Sequence, residues 1–85
     1  MKNLENRLPV LQEFCTSIGI NNVNFAQIYV ITLWESYIQL QGAHATTMVQ
    51  LVKLNHPDAT TTITTNGYIH IDIKFKDEEF KIVLT

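Results

Sequence analysis

Two periodicities divide the chain. Up to residue 55 apolar positions recur at helical spacing, and from residue 59 onward they alternate with polar ones. Leu4, Leu8, Leu11, Cys15 and Ile18 form one stripe, with Phe14 beside it and Glu5, Arg7, Gln12, Glu13 and Thr16 elsewhere on the wheel. This predicts an amphipathic helix over about 4–18. Pro9 lacks the amide a helix interior uses, so the helix either starts at Leu8 or Pro9 or runs from Leu4 and kinks. Gly19 suits the position after the helix end, and Asn21–Asn22 suit a turn.

Residues 25–41 are the most apolar stretch. On a helical wheel, Ala26, Tyr29, Val30, Ile31, Leu33, Trp34, Tyr37, Ile38 and Leu40 cover an arc of about 200°. Asn24 and Gln27 read as a capping box, Val23 and Ile28 as a hydrophobic staple, and Gly42 as the glycine after the last turn. These end signals outweigh the β-branched run 28–33 and predict a helix over about 24–41. An arc that wide must be covered on two sides. Residues 45–55 place Ala45, Met48, Val49, Leu51 and Val52 opposite Gln50 and Lys53, and a third helix is preferred to a strand there.

The remaining pattern has period two. Ile69, Ile71, Ile73 and Phe75 face one way and Tyr68, His70, Asp72 and Lys74 the other, while Phe80, Ile82 and Leu84 repeat the alternation. Strands over about 59–64, 68–75 and 80–84 follow. A three-residue loop, Thr65-Asn66-Gly67, sets Ile63 against Ile69 and Thr61 against Ile71. A four-residue type I loop over 76–79 sets Phe75 against Phe80 and Ile73 against Ile82. The expected fold is α+β: a single domain, 1–85, with two or three N-terminal helices packed on one face of a C-terminal three-stranded antiparallel β-meander.

Composition narrows the function more than it names it. The 85 residues are 46% hydrophobic and 16% charged, which is the profile of a folded domain. Six Lys and Arg and a net charge of −2 argue against a surface built to neutralise phosphates or an anionic membrane. Residues 1–11 have no uninterrupted apolar run of the secretory kind, and the 24–41 segment is shorter than the roughly 20 mostly apolar residues of a span. A cytoplasmic protein is the expectation. The single Cys15 excludes an internal disulfide, and three scattered His without cysteine partners offer no metal site.

Catalytic groups are correspondingly sparse. Cys15 lies on an apolar stripe, where a thiol acts as a small hydrophobe. His70 and Asp72 share a strand face, the usual look of a solvated sheet surface. His44 and His56 flank turns. No cofactor, metal or catalytic constellation is assigned. The residues best suited to meet a partner are Tyr29, Trp34 and Tyr37, as interface aromatics on the over-wide arc, and Asp77, Glu78 and Glu79, as an acidic tip facing a basic partner. The Thr-rich edge 59–65 and the terminal strand 80–85 could each accept an added strand.

The sequence therefore points to a small non-enzymatic protein-binding module, homo-oligomeric and acting as a homodimer. Small acidic domains of this kind occur among phage and mobile-element accessory proteins that inhibit or modulate a host macromolecule by occupying its surface. The alternative is a winged-helix-like DNA-binding regulator, with 45–55 as recognition helix. That helix offers only Gln50, Lys53 and Asn55 to a groove.

Overall fold

Asn3 opens the first helix by accepting the Glu5 amide on its side chain at 2.8 Å, while its carbonyl takes the Asn6 and Arg7 amides. The computed structural model of the chain describes residues 3–19, 28–43 and 46–85. Helix α1 runs Leu4–Ser17 with Pro9 inside it. The amide missing at Pro9 would have bonded the Glu5 carbonyl, and both residues face solvent, where water can serve instead. The helix is turned relative to the expected stripe. Leu4 and Leu8 are exposed, and Arg7, Phe14, Cys15 and Ile18 face inward. Gly19 closes it at φ +81°, a left-handed conformation that favours glycine, and a Cβ there would stand 2.6 Å from Leu51 Cδ1 and push that methyl aside.

The expected helix over 24–41 does not exist. Its described part is a β-hairpin, β1 (Ile28–Leu33) and β2 (Ile38–Gly42), paired antiparallel from Leu33↔Ile38 to Ile28↔Gly42 with a bulge between Ile28 and Val30. The proposed cap residues Val23, Asn24 and Gln27 lie outside the described residues, as do Asn21, Asn22, Ala26, His44 and Ala45. Gly42 caps nothing. It is a buried strand residue whose carbonyl accepts the Thr85 amide at 3.0 Å.

Helix α2 (Thr46–Asn55) fills the expected place of the 45–55 element. It carries the chain across to β3 (Thr60–Ile63), β4 (Ile69–Phe75) and β5 (Glu78–Leu84). The expected three-stranded antiparallel meander is thus overturned. The sheet has five strands in the order β1-β2-β5-β4-β3, and β2 runs parallel to β5, with Ile38↔Phe80 and Leu40↔Ile82 in register. A parallel neighbour needs a crossover, and α2 lies on it. Strand β5 is therefore paired on both sides and is no edge. Among the described strands the edges are β1 and β3.

Within the meander the two loops behave differently. The β3–β4 pairing has Ile63 opposite Ile69 and Thr61 opposite Ile71, with Gly67 at φ +85°, as a three-residue bulged loop requires. The β4–β5 loop is shorter than expected by two residues. Phe75 faces Glu78 and Ile73 faces Phe80, and only Lys76 (φ 50°) and Asp77 (φ 62°) turn the chain, a primed turn without glycine. A shift of two preserves which face each residue occupies, so alternation alone does not detect it.

The registers line the sheet up in rows. On the inner face one row is Leu33, Ile38, Phe80 and Ile73, and the next is Ile31, Leu40, Ile82 and Ile71. Phe14, Cys15 and Ile18 of α1 and Met48 and Val52 of α2 close over them to form a single core. Phe14 stacks on Phe80 with ring centroids 3.9 Å apart. Strand β3 is exposed along its whole length. Both helices lie on this one side of the sheet.

Candidate protein-binding surface

The other side of the sheet carries no described helix, and its rows differ from one end of the strand order to the other. One row reads Thr32, Gln39, Lys81, Asp72 and Thr60, and another Val30, Gln41, Val83, His70 and Thr62. The β1–β2 half of this outer face is uncharged. The β5–β4 half alternates Glu79, Lys81, Asp72 and Lys74, set so that opposite charges face each other across strands: Lys81 and Asp72, Lys74 and Glu79. A shallow groove lined by Asp58, Thr60, Asp72, Lys74, Glu79 and Lys81 runs over this charged half.

The uncharged half ends in an aromatic corner. The chain bends at Glu35–Ser36, and the Trp34 amide donates to the Tyr37 carbonyl at 2.9 Å. The two rings stand 6.2 Å apart, tilted by 34°. Trp34 Nε1 donates to Gln39 Oε1 at 3.3 Å, and Lys81 Nζ sits 5.0 Å from the centre of the Tyr37 ring. That ammonium adds a cation–π contact on one flank of the corner. Trp34 remains 50% exposed.

The corner is held from behind by a buried ion pair. Arg7 Nη2 and Nε reach Glu78 at 2.8 to 3.3 Å in a fork, and Nη2 also donates to the Tyr37 carbonyl at 3.2 Å. Arg7 is 6% and Glu78 3% exposed. One guanidinium thus joins α1, the start of β5 and the β1–β2 bend. A planar donor fork matched to a carboxylate is what makes such burial tolerable.

Of the six residues expected to meet a partner, Trp34 and Tyr37 come together. Glu79 lies on the same outer face, one residue before the registered pair Ile38↔Phe80. Asp77 turns the neighbouring loop. Tyr29 sits at the opposite end of β1, in the bulge, with its hydroxyl 3.0 Å from Thr85 Oγ1. Glu78 cannot contact a partner, because it points into the protein at Arg7. The sequence pattern leaves Arg7 off the apolar stripe of α1, whereas the structure buries it. Its spacing to Leu11, Phe14 and Ile18 is helical, and that was the available signal.

A second polar contact links the two helix ends. Ser17 Oγ donates to the Phe14 carbonyl at 2.6 Å and lies 2.7 Å from His56 Nε2. A hydroxyl has one proton, so with Ser17 donating to Phe14 its oxygen accepts from Nε2–H of His56. That polarity is opposite to a serine activated as a nucleophile. The His56 ring packs at 5.1 Å from Phe14 and edge-on to Phe75, and burial lowers its pKa from 6.5. Asn55 Nδ2 completes the clamp on the Ser17 carbonyl at 2.8 Å. Nothing in the sequence pairs Ser17 with His56.

Burial also pushes the Cys15 thiol up to about 11, which leaves it un-ionised at neutral pH. Among the described residues no three His, Cys, Asp or Glu side chains gather as a metal site, and no helix is long and apolar enough to cross a membrane. No family model, curated protein or solved structure matches the chain.

Proposed function

We propose that the chain is a non-enzymatic protein-binding module that acts by occupying a surface of another protein through the outer face of its β1–β2 hairpin. The observation that carries this reading is the Trp34–Tyr37 corner. Two large aromatics are held together by the bend, by Gln39 and by the Arg7 fork behind them, yet Trp34 stays half exposed on an uncharged sheet face. Aromatics with a polar handle are the side chains that dominate protein interfaces. The core needs neither ring, since the helices pack on the other side.

The DNA-binding alternative loses its premise. A winged helix needs three helices ahead of its wing, and residues 28–42 are a hairpin. Among the described residues the outer face also offers only Lys74 and Lys81 as cations, each set across from a carboxylate.

The test is affinity capture from the native host with the full chain as bait, read by mass spectrometry, comparing wild type with Tyr37→Ala. The expected result is a protein retained by wild type and lost with Tyr37→Ala, at unchanged helix and sheet content. Equal retention by both, or no retained protein, refutes the reading.

A further inference from the structure

We infer that β1 pairs antiparallel with β1 of a second copy of this chain, about a two-fold axis at Thr32, joining the two sheets into one. This deepens the proposed binding role by naming an occupant for the edge of the same hairpin that pairs with no other described strand. The argument begins with the backbone. The Trp34 amide bonds the Tyr37 carbonyl, so Trp34–Tyr37 is a narrow pair of the hairpin. Antiparallel ladders alternate, which makes Thr32–Gln39 the next narrow pair and leaves Leu33–Ile38 and Ile31–Leu40 as wide ones. The amide and carbonyl groups of Ile31 and Leu33 are therefore directed away from β2, towards the edge.

Those two residues flank Thr32. In a two-fold pairing centred there, Ile31 exchanges both backbone bonds with Leu33 of the second copy, and Leu33 does the same with its Ile31. Their side chains lie on the inner face and extend the core row across the axis. On the outer face Val30 and Trp34 also stand at equal distances from Thr32. Each Val30 then meets the other copy's Trp34, a pairing of two side chains that are 44% and 50% exposed in the single chain. Thr32 meets itself.

Self-complementarity is what selects a second copy over a foreign strand. An isologous contact brings every group against its own symmetry mate or that mate's neighbour, so a charge near the axis would repel itself. Strand β1 reads Ile-Tyr-Val-Ile-Thr-Leu and carries none. It also has no Lys or Pro of the kind that guards an open edge. Of the eight exposed large hydrophobics among the described residues, Tyr29, Val30 and Trp34 belong to this strand and its exit. The other edge, Thr60–Ile63, is shorter, and pairing with itself would set threonine against threonine with no large apolar contact on the outer face.

The experiment uses the full chain. Light scattering after size exclusion should give about twice the 9.8 kDa of one chain for wild type, and the single-chain mass for Thr32→Lys, which sets like charges on the axis. Thr32→Cys, treated with oxidised glutathione, should form a disulfide-linked dimer, because a wide pair on the axis brings its Cα atoms to about 4.5 Å. Val30→Cys, which faces Trp34 and not itself, should not. A wild-type chain of single mass at millimolar concentration overturns the inference. So does a dimer indifferent to Thr32→Lys, or one cross-linked as fast through Val30→Cys as through Thr32→Cys. A monomer that keeps Tyr37-dependent capture refutes only the dimer, and a dimer that captures nothing refutes only the binding role.

Discussion

The two hairpins that start at the same end of the sheet, β1–β2 and β4–β5, are built on opposite principles. In β4–β5 the inner face is Ile, Phe and Leu apart from Glu78 and the outer face is mostly charged, so the alternation is plain in the residues. In β1–β2 the outer face carries Val30, Thr32, Trp34, Tyr37, Gln39 and Gln41, and nothing marks it as the wet side. The turns are also opposite. Lys76 and Asp77 both take left-handed backbone, which matches the twist of the strands, whereas no residue of the Glu35–Ser36 bend has positive φ. One hairpin is specified locally. The other depends on what packs against it, chiefly β5 along β2 and Arg7 behind the bend.

The largest expected effect breaks that dependence. Arg7→Ala leaves the Glu78 carboxylate buried without its fork and removes one of the two donors to the Tyr37 carbonyl, and removal of one partner of a buried pair costs roughly 3–5 kcal/mol. Against a total stability of about 5–15 kcal/mol for a domain, that is a large share. Chemical denaturation should show the loss, and hydrogen exchange should show β1 and β2 losing protection before β4. Arg7→Met with Glu78→Leu should cost less than Arg7→Ala alone, since both charges of the buried pair are then removed together. Uniform loss of protection in both hairpins would mean that the fork does not hold β1–β2 in particular.

That asymmetry explains which parts of the fold could be read in advance. The Ile63↔Ile69 register was legible because Asn66-Gly67 and parity agree on it. Helix α2 was legible only as the preferred of two readings, since Met48, Val49, Leu51 and Val52 share a helical face and Leu54 does not. Residues 28–42 were not, because two strands with apolar side chains on both faces, wrapped on a helical wheel, look like one helix with an over-wide stripe. The arc that demanded two coverings was in fact the two faces of a hairpin. Local end signals such as Gly42 reinforced the error, and the pairing of β2 with β5 joins segments about forty residues apart that no local rule relates. Of the candidate surface, Trp34 and Tyr37 were singled out by residue type, and the structure brings their rings together. Glu78 was misplaced because a carboxylate after a turn reads as solvated, and only the position of Arg7 shows otherwise.

A smaller effect probes the clamp between the helix ends, which closes the core over the β4–β5 side. His56→Ala should cost about 1–3 kcal/mol through the lost Ser17 bond and the ring packing on Phe14 and Phe75. The pH dependence has a definite sign. The folded state holds His56 neutral and lowers its pKa, so its contribution is complete above the unfolded value of 6.5 and is lost as pH falls from there through the lowered folded value. Denaturation midpoints between about pH 7.5 and about pH 5 should therefore fall more steeply for wild type than for His56→Gln. Equal slopes would remove His56 from the account.

The smallest effect runs in the stabilising direction and separates the two turns. Asp77 holds φ 62° in a turn whose second central position favours glycine, and left-handed backbone costs a residue with a Cβ about 1–2 kcal/mol, less for Asp than for most. Asp77→Gly removes that strain but frees the unfolded chain, so the net gain should be a few tenths to about 1 kcal/mol. Ser36→Gly has no positive φ to relieve, and the added freedom of the unfolded chain should make it destabilising by about 0.5–1 kcal/mol. Melting temperatures of the two variants should therefore move in opposite directions. If both fell, the side chain of Asp77 would matter more to the turn than its backbone strain, and the β4–β5 loop would rest, like the β1–β2 bend, on contacts made outside itself.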